Sequence, residues 1–222
     1  DVNDILNREI VPAKEELLLK NINSKAVVVT GAGGSIGSEL CRQIMKAKPK
    51  SLILCELNEF ALYKIYEELK LVNKNSKIVP LVCNIQDENK IKEVFKTFNI
   101  DTVYHAAAYK HVPLVEANIC EGVKNNVFGT YVVAKASIEQ GVSDFVLISS
   151  DKAVRPTNIM GASKQLAELC VQGLFHQHEG KKINMSMVRF GNVLDSSGSV
   201  IPKFKQQIKQ GGPITLTHTD VT

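Results

Sequence analysis

A doubly wound α/β fold, one parallel sheet between two layers of helices, is what this 222-residue sequence predicts, and three observations predict it. Its apolar runs are continuous and do not alternate, as expected of strands buried on both faces. Amphipathic segments of helical period separate them, as right-handed crossovers between parallel strands require. The first run, Val27–Val29, opens into a turn with glycines at Gly31, Gly33, Gly34 and Gly37, and a helical pattern (Glu39, Leu40, Cys41, Ile44) begins at once. The alternation predicts a strand over Ala26–Thr30, a helix over Ser35–Ala47, a strand over Ser51–Cys55 and a helix over Glu59–Leu71. A strand over Lys77–Cys83, a helix over Glu88–Phe98 and a strand over Thr102–Ala106 follow. The series ends with a helix near Glu121–Gln140, a strand over Phe145–Ser149, a helix over Ile159–Phe175 and a strand over Asn184–Phe190, then a looser region with a helix around Ile201–Lys209. Residues 1–24 read as a leader whose apolar residues (Ile5, Leu6, Ile10, Leu17 to Leu19) cover something without joining the sheet.

Composition narrows the classes. A hydrophobic fraction of 44% suits one domain with a full core and leaves no room for a second. The domain is placed at residues 25–222, with a substrate-binding region starting near residue 191. The net charge of +4 is spread over helix surfaces without interleaved aromatics, which argues against nucleic acid and suits an anionic small ligand. Five cysteines (Cys41, Cys55, Cys83, Cys120, Cys170) lack C-x-x-C spacing and read as buried thiols of a reducing cytoplasm; no metal site is expected. No window approaches the roughly 20 apolar residues of a membrane span.

The glycine turn carries the first functional expectation. Glycine lets backbone approach a pyrophosphate, and the N–H groups and positive end of the next helix meet its charge. Gly31, Gly33, Gly34, Ser35, Ile36 and Gly37 are therefore candidate contacts to a dinucleotide. Glu56 ends the next apolar run at about the 20-residue distance where a carboxylate binds the adenosine ribose; a solvated carboxylate at a helix start is the plainer reading.

In such sheets ligands lie beyond the carboxyl ends of the strands. There Asn84 and Ile85 follow the third strand, Asn84 as an adenine-edge contact or as a turn residue. Ala106, Ala107 and Ala108 follow the fourth, small enough for a flat ligand to lie on the backbone or for close helix packing; Lys110 and His111 beyond them are candidate substrate contacts. The fifth strand ends in Ser149-Ser150-Asp151-Lys152, an acid, a base and hydroxyls, or a surface turn. Met160 and Lys164, four residues apart, share a helix face on which Lys164 either reaches a cofactor ribose or faces solvent.

Four ordered motifs, Thr30–Gly37, His105–Pro113, Ser149–Asn158 and Arg189–Leu194, resemble those of the extended short-chain dehydrogenases/reductases, a Rossmann family. They are most similar to the bacterial polysaccharide-biosynthesis group, the UDP-N-acetylglucosamine 4,6-dehydratases. The resemblance covers nearly all of residues 25–222, and Asp4–Arg8 is similar to the linker before the catalytic domain of long, membrane-anchored members. Met160 stands where most of the superfamily has a tyrosine, as it does in the long, C5-configuration-retaining subgroup; a thioether cannot exchange a hydroxyl proton.

The resemblance implies an internal redox cycle on a UDP-sugar: oxidation at C4, loss of water across C5 and C6, and return of the hydride to C6. It implies that Asp151 protonates the departing hydroxyl, Lys152 removes the C5 proton, Ser150 bonds the C4 oxygen and Lys164 binds the nicotinamide ribose. Asn192, Ser197, Ser199 and Val200 would wrap the nucleotide, and Arg189 pairs either with phosphate or within the fold. NAD is favoured over NADP because Glu56 repels a 2′-phosphate, a preference softened by Asn58 and Lys64. The resemblance further implies a homo-oligomer and a cytoplasmic enzyme at the inner membrane face, with any membrane helices preceding this segment. It also implies a C-terminal substrate lobe that is incomplete at Thr222, so that the chain binds cofactor with part of its substrate cleft missing. An epimerase or reductase on the same scaffold, and a non-catalytic dinucleotide-binding protein, are the alternatives.

Overall fold

The computed structural model describes residues 14–72, 76–178, 180–193 and 200–215. The chain divides into two units, residues 13–191 and residues 192–222 with 1–12. The larger unit is built on six parallel strands, β1 (Ala26–Thr30), β2 (Ser51–Glu56), β3 (Lys77–Val82), β4 (Thr102–His105), β5 (Asp144–Ser150) and β6 (Asn184–Phe190), in the order β3-β2-β1-β4-β5-β6. The order reverses between β1 and β4, the crevice where ligands of such sheets bind.

After the short α1 (Glu15–Lys20), which buries no residue, helices cover both faces: α2 (Ser35–Lys46), α3 (Glu59–Val72), α4 (Glu88–Phe98), α5 (Val112–Ala117), α6 (Ile119–Val123), α7 (Gly129–Glu139) and α8 (Ile159–Gln177). Val27, Val28 and Val29 are each 0% exposed because successive side chains of β1 enter opposite layers. Val27 and Val29 pack with Cys41 and Ile44 of α2 and Leu62 of α3. Val28 packs with Phe95 of α4, Val133 of α7 and Val171 of α8. Side-chain caps fix two helix starts: Asp87 accepts from the Lys90 N–H and Asn158 from the Gly161 N–H.

Three expectations are corrected. The single helix near Glu121–Gln140 is divided by a π-helical turn at Lys124–Phe128, where Asn125 and Asn126 are buried and the Thr130 hydroxyl donates to the Asn126 carbonyl. Leu17, Leu18 and Leu19 do not cover anything as expected of the leader: they lie exposed on α1, and among the described residues the chain first joins the core at buried Ile22. The remaining leader residues expected to be apolar contacts, Ile5, Leu6 and Ile10, lie outside the described residues. Of the cysteines, Cys41, Cys55 and Cys83 are buried, but Cys120 is exposed and Cys170 half-buried, because α6 and α8 turn those positions outward. The smaller unit contains α9 (Val200–Lys209), after which the Gln207 side chain bonds Thr215. Among the described residues no helix is long and apolar enough to cross a membrane.

Candidate active site

At the carboxyl end of β1 the chain enters the glycine turn, where Gly31, Gly33 and Gly37 are each required for a separate reason. Gly31 has φ +70°, and a Cβ on it would lie 2.7 Å from the Ala107 backbone, so the turn can press against the loop after β4 only without a side chain. A Cβ on Gly33 would lie 2.6 Å from that of Ala61. Gly37 is buried behind the turn, where a Cβ would come within 1.9 Å of the Gly31 carbonyl oxygen. Helix propensity alone favours Gly37→Ala by about 1 kcal/mol, yet here the added methyl meets backbone, and a loss of about 2–3 kcal/mol is expected. Urea unfolding checks this against Gly173→Ala in α8, where a Cβ meets nothing and a small gain is expected.

Glu56, at the end of β2, faces this turn. One carboxylate oxygen accepts from the Gly33 N–H and the other from the Asn58 N–H, both at 2.9 Å. Gly31, Gly33, Gly34, Glu56, Asn84, Ile85 and Ala106 to Ala108 line one cavity of about 290 Å³, together with Cys55, Cys83 and Tyr109. Asn84 lines the cavity and accepts a turn hydrogen bond from the Gln86 N–H. The first turn of α2 starts at Gly34 without a side-chain cap, which leaves its positive end to an anion. A glycine cradle that side chains would fill, a fixed carboxylate and an open helix end fit the adenosine and pyrophosphate part of a dinucleotide. Ser35 and Ile36 open α2 beside this cavity without lining it, and Lys164 also lies outside its lining.

The second group lies at the end of β5. The Ser150 hydroxyl donates to Asp151 Oδ1 at 3.0 Å, and Lys152 Nζ lies 3.3 Å from the same oxygen. Burial is the largest single influence and raises the Asp151 carboxyl, but the hydrogen bonds from Ser150 and Lys152 and the charge of Lys152 together outweigh it and hold the group below its usual value. A tight turn over Asp151–Ala153 presents these side chains, and α8 is pressed onto it: a Cβ on Gly161 would lie 2.5 Å from the Lys152 carbonyl oxygen.

One turn along α8, Met160 and Lys164 are buried. The alternative of a solvent-facing Lys164 is thereby removed: Nζ donates to the Ile148 carbonyl at 2.7 Å, and burial, only partly offset by Glu168, brings the amine down to about 8. Arg189 pairs within the fold, its guanidinium donating to both oxygens of buried Glu168, which also accepts from Ser149.

A buried polar network ties the end of β1 to α8, and its members were not among the candidates. Thr130 donates to the Asn126 carbonyl, so it accepts from His105 Nε2–H at 2.9 Å, and His105 Nδ1 accepts the Thr30 hydroxyl proton at 2.6 Å. The Asn126 amide accepts from the Tyr109 N–H, donates to the Tyr109 carbonyl, and reaches Ser163. The end of β1, the loop after β4 and α8 are thus tied to one π-helical turn. The available signal was Asn125-Asn126 interrupting an otherwise apolar helical pattern.

Two further candidates of the larger unit are not brought into this arrangement. Lys110 and His111 are exposed, His111 preceding α5. Asn192 is exposed in the smaller unit, Val200 opens α9, and Ser197 and Ser199 lie outside the described residues.

Comparison with known proteins gives three levels of likeness. The model of a family described as polysaccharide biosynthesis protein matches residues 27–222. The capsular polysaccharide biosynthesis protein CapD of Staphylococcus aureus is 47% identical over 223 residues, which is 100% of this chain and 37% of that protein. A UDP-glucose 4-epimerase of Rickettsia prowazekii is 34% identical, covering 89% of the chain and 58% of the relative. A UDP-N-acetylglucosamine 4,6-dehydratase (inverting) of Campylobacter jejuni is 33% identical, covering 88% and 58%. Among solved structures, Pen from Bacillus thuringiensis superposes with a TM-score of 0.83 at 36% identity, over 89% of this chain and 61% of that one. The chain thus spans little more than a third of the length of CapD.

Proposed function

This chain belongs to the polysaccharide biosynthesis protein family, and we propose that it carries the cofactor site and acid–base groups of a nucleotide-sugar 4,6-dehydratase acting on UDP-N-acetylglucosamine. The observation that carries this reading is the hydrogen-bonded Ser150-Asp151-Lys152 turn at the carboxyl end of β5, in a sheet whose glycine cradle fits a dinucleotide. Glu56, fixed toward that cradle, favours NAD over NADP by repelling a 2′-phosphate. A bound nicotinamide supplies hydride acceptance at the sugar C4 and hydride return at C6.

The remaining steps fall to the protein. A C4 ketone acidifies the C5 hydrogen, and the Lys152 amine removes that proton. Asp151 protonates the departing C6 hydroxyl, which requires the substrate to draw it away from the Lys152 ammonium that now stabilises its carboxylate. Ser150 hydrogen-bonds the C4 oxygen, and Lys164 favours developing alkoxide charge nearby. Met160, in the place of the usual tyrosine, supports the C5-retaining subgroup. Lys110, His111, Asn192, Ser197, Ser199 and Val200 are assigned to the UDP-sugar side, and the working form is assigned as a homo-oligomer in the cytoplasm.

A C4 epimerase is the second reading, favoured by the relative of that name at 34% identity. An epimerase needs neither a C5 base nor a leaving-group acid, so the Asp151–Lys152 pair speaks against it. Incubating the protein with NAD and UDP-N-acetylglucosamine and following the sugar by NMR is expected to give a 4-keto-6-deoxy product. A C4 epimer in its place would reject the dehydratase reading.

A further inference from the structure

Acidic side chains are almost never fully buried without a partner, and Glu168 of α8, 2% exposed, has no part in the reaction above. Its carboxylate joins three elements. Oε1 accepts from the Ser149 hydroxyl of β5 and from Arg189 Nε–H of β6, and Oε2 accepts from Arg189 Nη2–H at 2.7 Å. Ser149 and Arg189 stand opposite one another in the β5–β6 register, so their side chains leave the sheet on one face and meet the same carboxylate. Burial is the largest influence on Glu168 and raises it. The hydrogen bonds from Arg189 and Ser149 and the charges of Arg189 and Lys164 together outweigh it, hold the group below its usual value and keep it ionised at neutral pH.

This grip completes a series along the helix. Gly161, Lys164 and Glu168, spaced i, i+3 and i+7, lie on one face of α8. Gly161 is seated against the Lys152 carbonyl, Lys164 Nζ donates to the Ile148 carbonyl at 2.7 Å, and Glu168 holds the Ser149 hydroxyl. Successive turns of that face therefore touch the chain between Ile148 and Lys152. Asp151 and Lys152 themselves stand on a three-residue turn, in which the Val154 N–H donates to the Asp151 carbonyl at 3.1 Å and the Lys152 N–H to the Ser150 hydroxyl at 3.3 Å. A turn this short takes its place from the strand that feeds it and the helix pressed onto it.

We propose that Glu168 is a positioning residue for the acid–base turn: by gripping Ser149 and Arg189 together it fixes the end of β5, so that Asp151 and Lys152 meet the sugar in one geometry. What the turn does rests on the dehydratase reading; where the turn is held does not. Ser149 is the sensitive link, because it precedes Asp151 by two residues and its hydroxyl is the point at which the helix holds the strand. A misplacement of about 1 Å at reacting groups can cost about 10²-fold in rate. Ser149, Glu168 and Arg189 do not line the cavity of the glycine cradle, so NAD affinity should not follow the change.

The test compares Ser149→Ala, Ser149→Thr and Glu168→Gln with the parent chain. Ser149→Ala is expected to lower kcat for UDP-N-acetylglucosamine about tenfold with KM unchanged, as for an interaction that counts only in the transition state. Ser149→Thr keeps the hydroxyl and is expected to restore kcat. Glu168→Gln is expected to cost about 10²-fold; Arg189 is half-exposed, so its charge stays solvated when its partner is neutral. Calorimetry is expected to show the same NAD affinity in all four chains. Wild-type kcat in folded Ser149→Ala and Glu168→Gln would overturn the proposal. So would losses of kcat matched by a rise in KM and weaker NAD binding, which mark a general loosening of the fold. Should Glu168→Gln fail to fold, the two Ser149 variants decide. Absence of product from the parent chain would count against the dehydratase reading. Hydrogen exchange then still decides the clamp: Ser149→Ala is expected to speed exchange across residues 149–154 and leave the glycine turn unchanged, and equal exchange in both chains would overturn it.

Discussion

Replacing Lys152 by Ala is expected to abolish conversion of UDP-N-acetylglucosamine, lowering turnover about 10³-fold, while NAD binding is unchanged. The magnitude follows from the removal of one positioned base, which typically contributes 10²–10⁴-fold. The separation of the two readouts follows from the geometry. Lys152 lies on the turn after β5, its Nζ directed at Asp151, and it takes no part in lining the cavity of the glycine cradle. Lys152 is half-exposed in a short turn, and the Gly161 contact that seats α8 is made with the Lys152 carbonyl, which Ala retains. The fold should therefore survive the change. Asp151→Asn serves as the companion: it keeps the shape of the turn and its Ser150 hydrogen bond but cannot deliver a proton. Turnover by NMR and NAD affinity by calorimetry check both; a Lys152→Ala chain with undiminished turnover would remove the lysine from the chemistry.

How much of this was legible in the sequence depends on whether the decisive interaction is local. The strands were, since Ala26–Thr30 and Asn184–Phe190 stand at the predicted bounds and the helix Glu88–Phe98 is closed by its own Asp87 cap and left-handed Asn99. The glycine turn was too, because Gly31 is required by its own backbone angle. The division of the helix after Ile119 was not, for the π turn is held by Asn126 bonding to Tyr109 and Ser163, residues remote in sequence. Nor was the burial of Lys164: lysine is ordinarily a surface residue, and only the Ile148 carbonyl and Glu168 make its position inside the sheet–helix layer tolerable. Arg189 shows the same limit, its partner Glu168 lying on a helix that crosses behind β6.

Acid should reveal the cost of burying His105. In the unfolded chain an imidazole takes a proton near 6.5, whereas in the fold burial, and then repulsion from the Lys164 ammonium, brings His105 down to about 3. Neither state is protonated at pH 7.5, so the group contributes no slope there. As pH falls below 6.5 the unfolded chain binds a proton that the native chain refuses, so stability is lost at about 1.4 kcal/mol per pH unit, continuing toward pH 3. Lys164, brought down only to about 8, is charged in both states throughout this window and adds no slope. Between pH 6.5 and 5 the expected loss is about 2 kcal/mol, above the range in which the lowered carboxyls Glu168 and Asp151 begin to add their own. The native proton cannot be accommodated because both ring nitrogens are committed: Nε2 already donates to Thr130, and a proton on Nδ1 would face the Thr30 hydroxyl, forcing that hydroxyl to turn its own hydrogen away. His105→Gln removes the titration while keeping an amide between the two threonines. Urea unfolding of both chains from pH 7.5 to 5 is expected to show the wild-type curve falling away from that of the variant; parallel curves would mean that His105 is protonated in the native state and that the neutral, threonine-clamped ring does not tie β1 to the π turn.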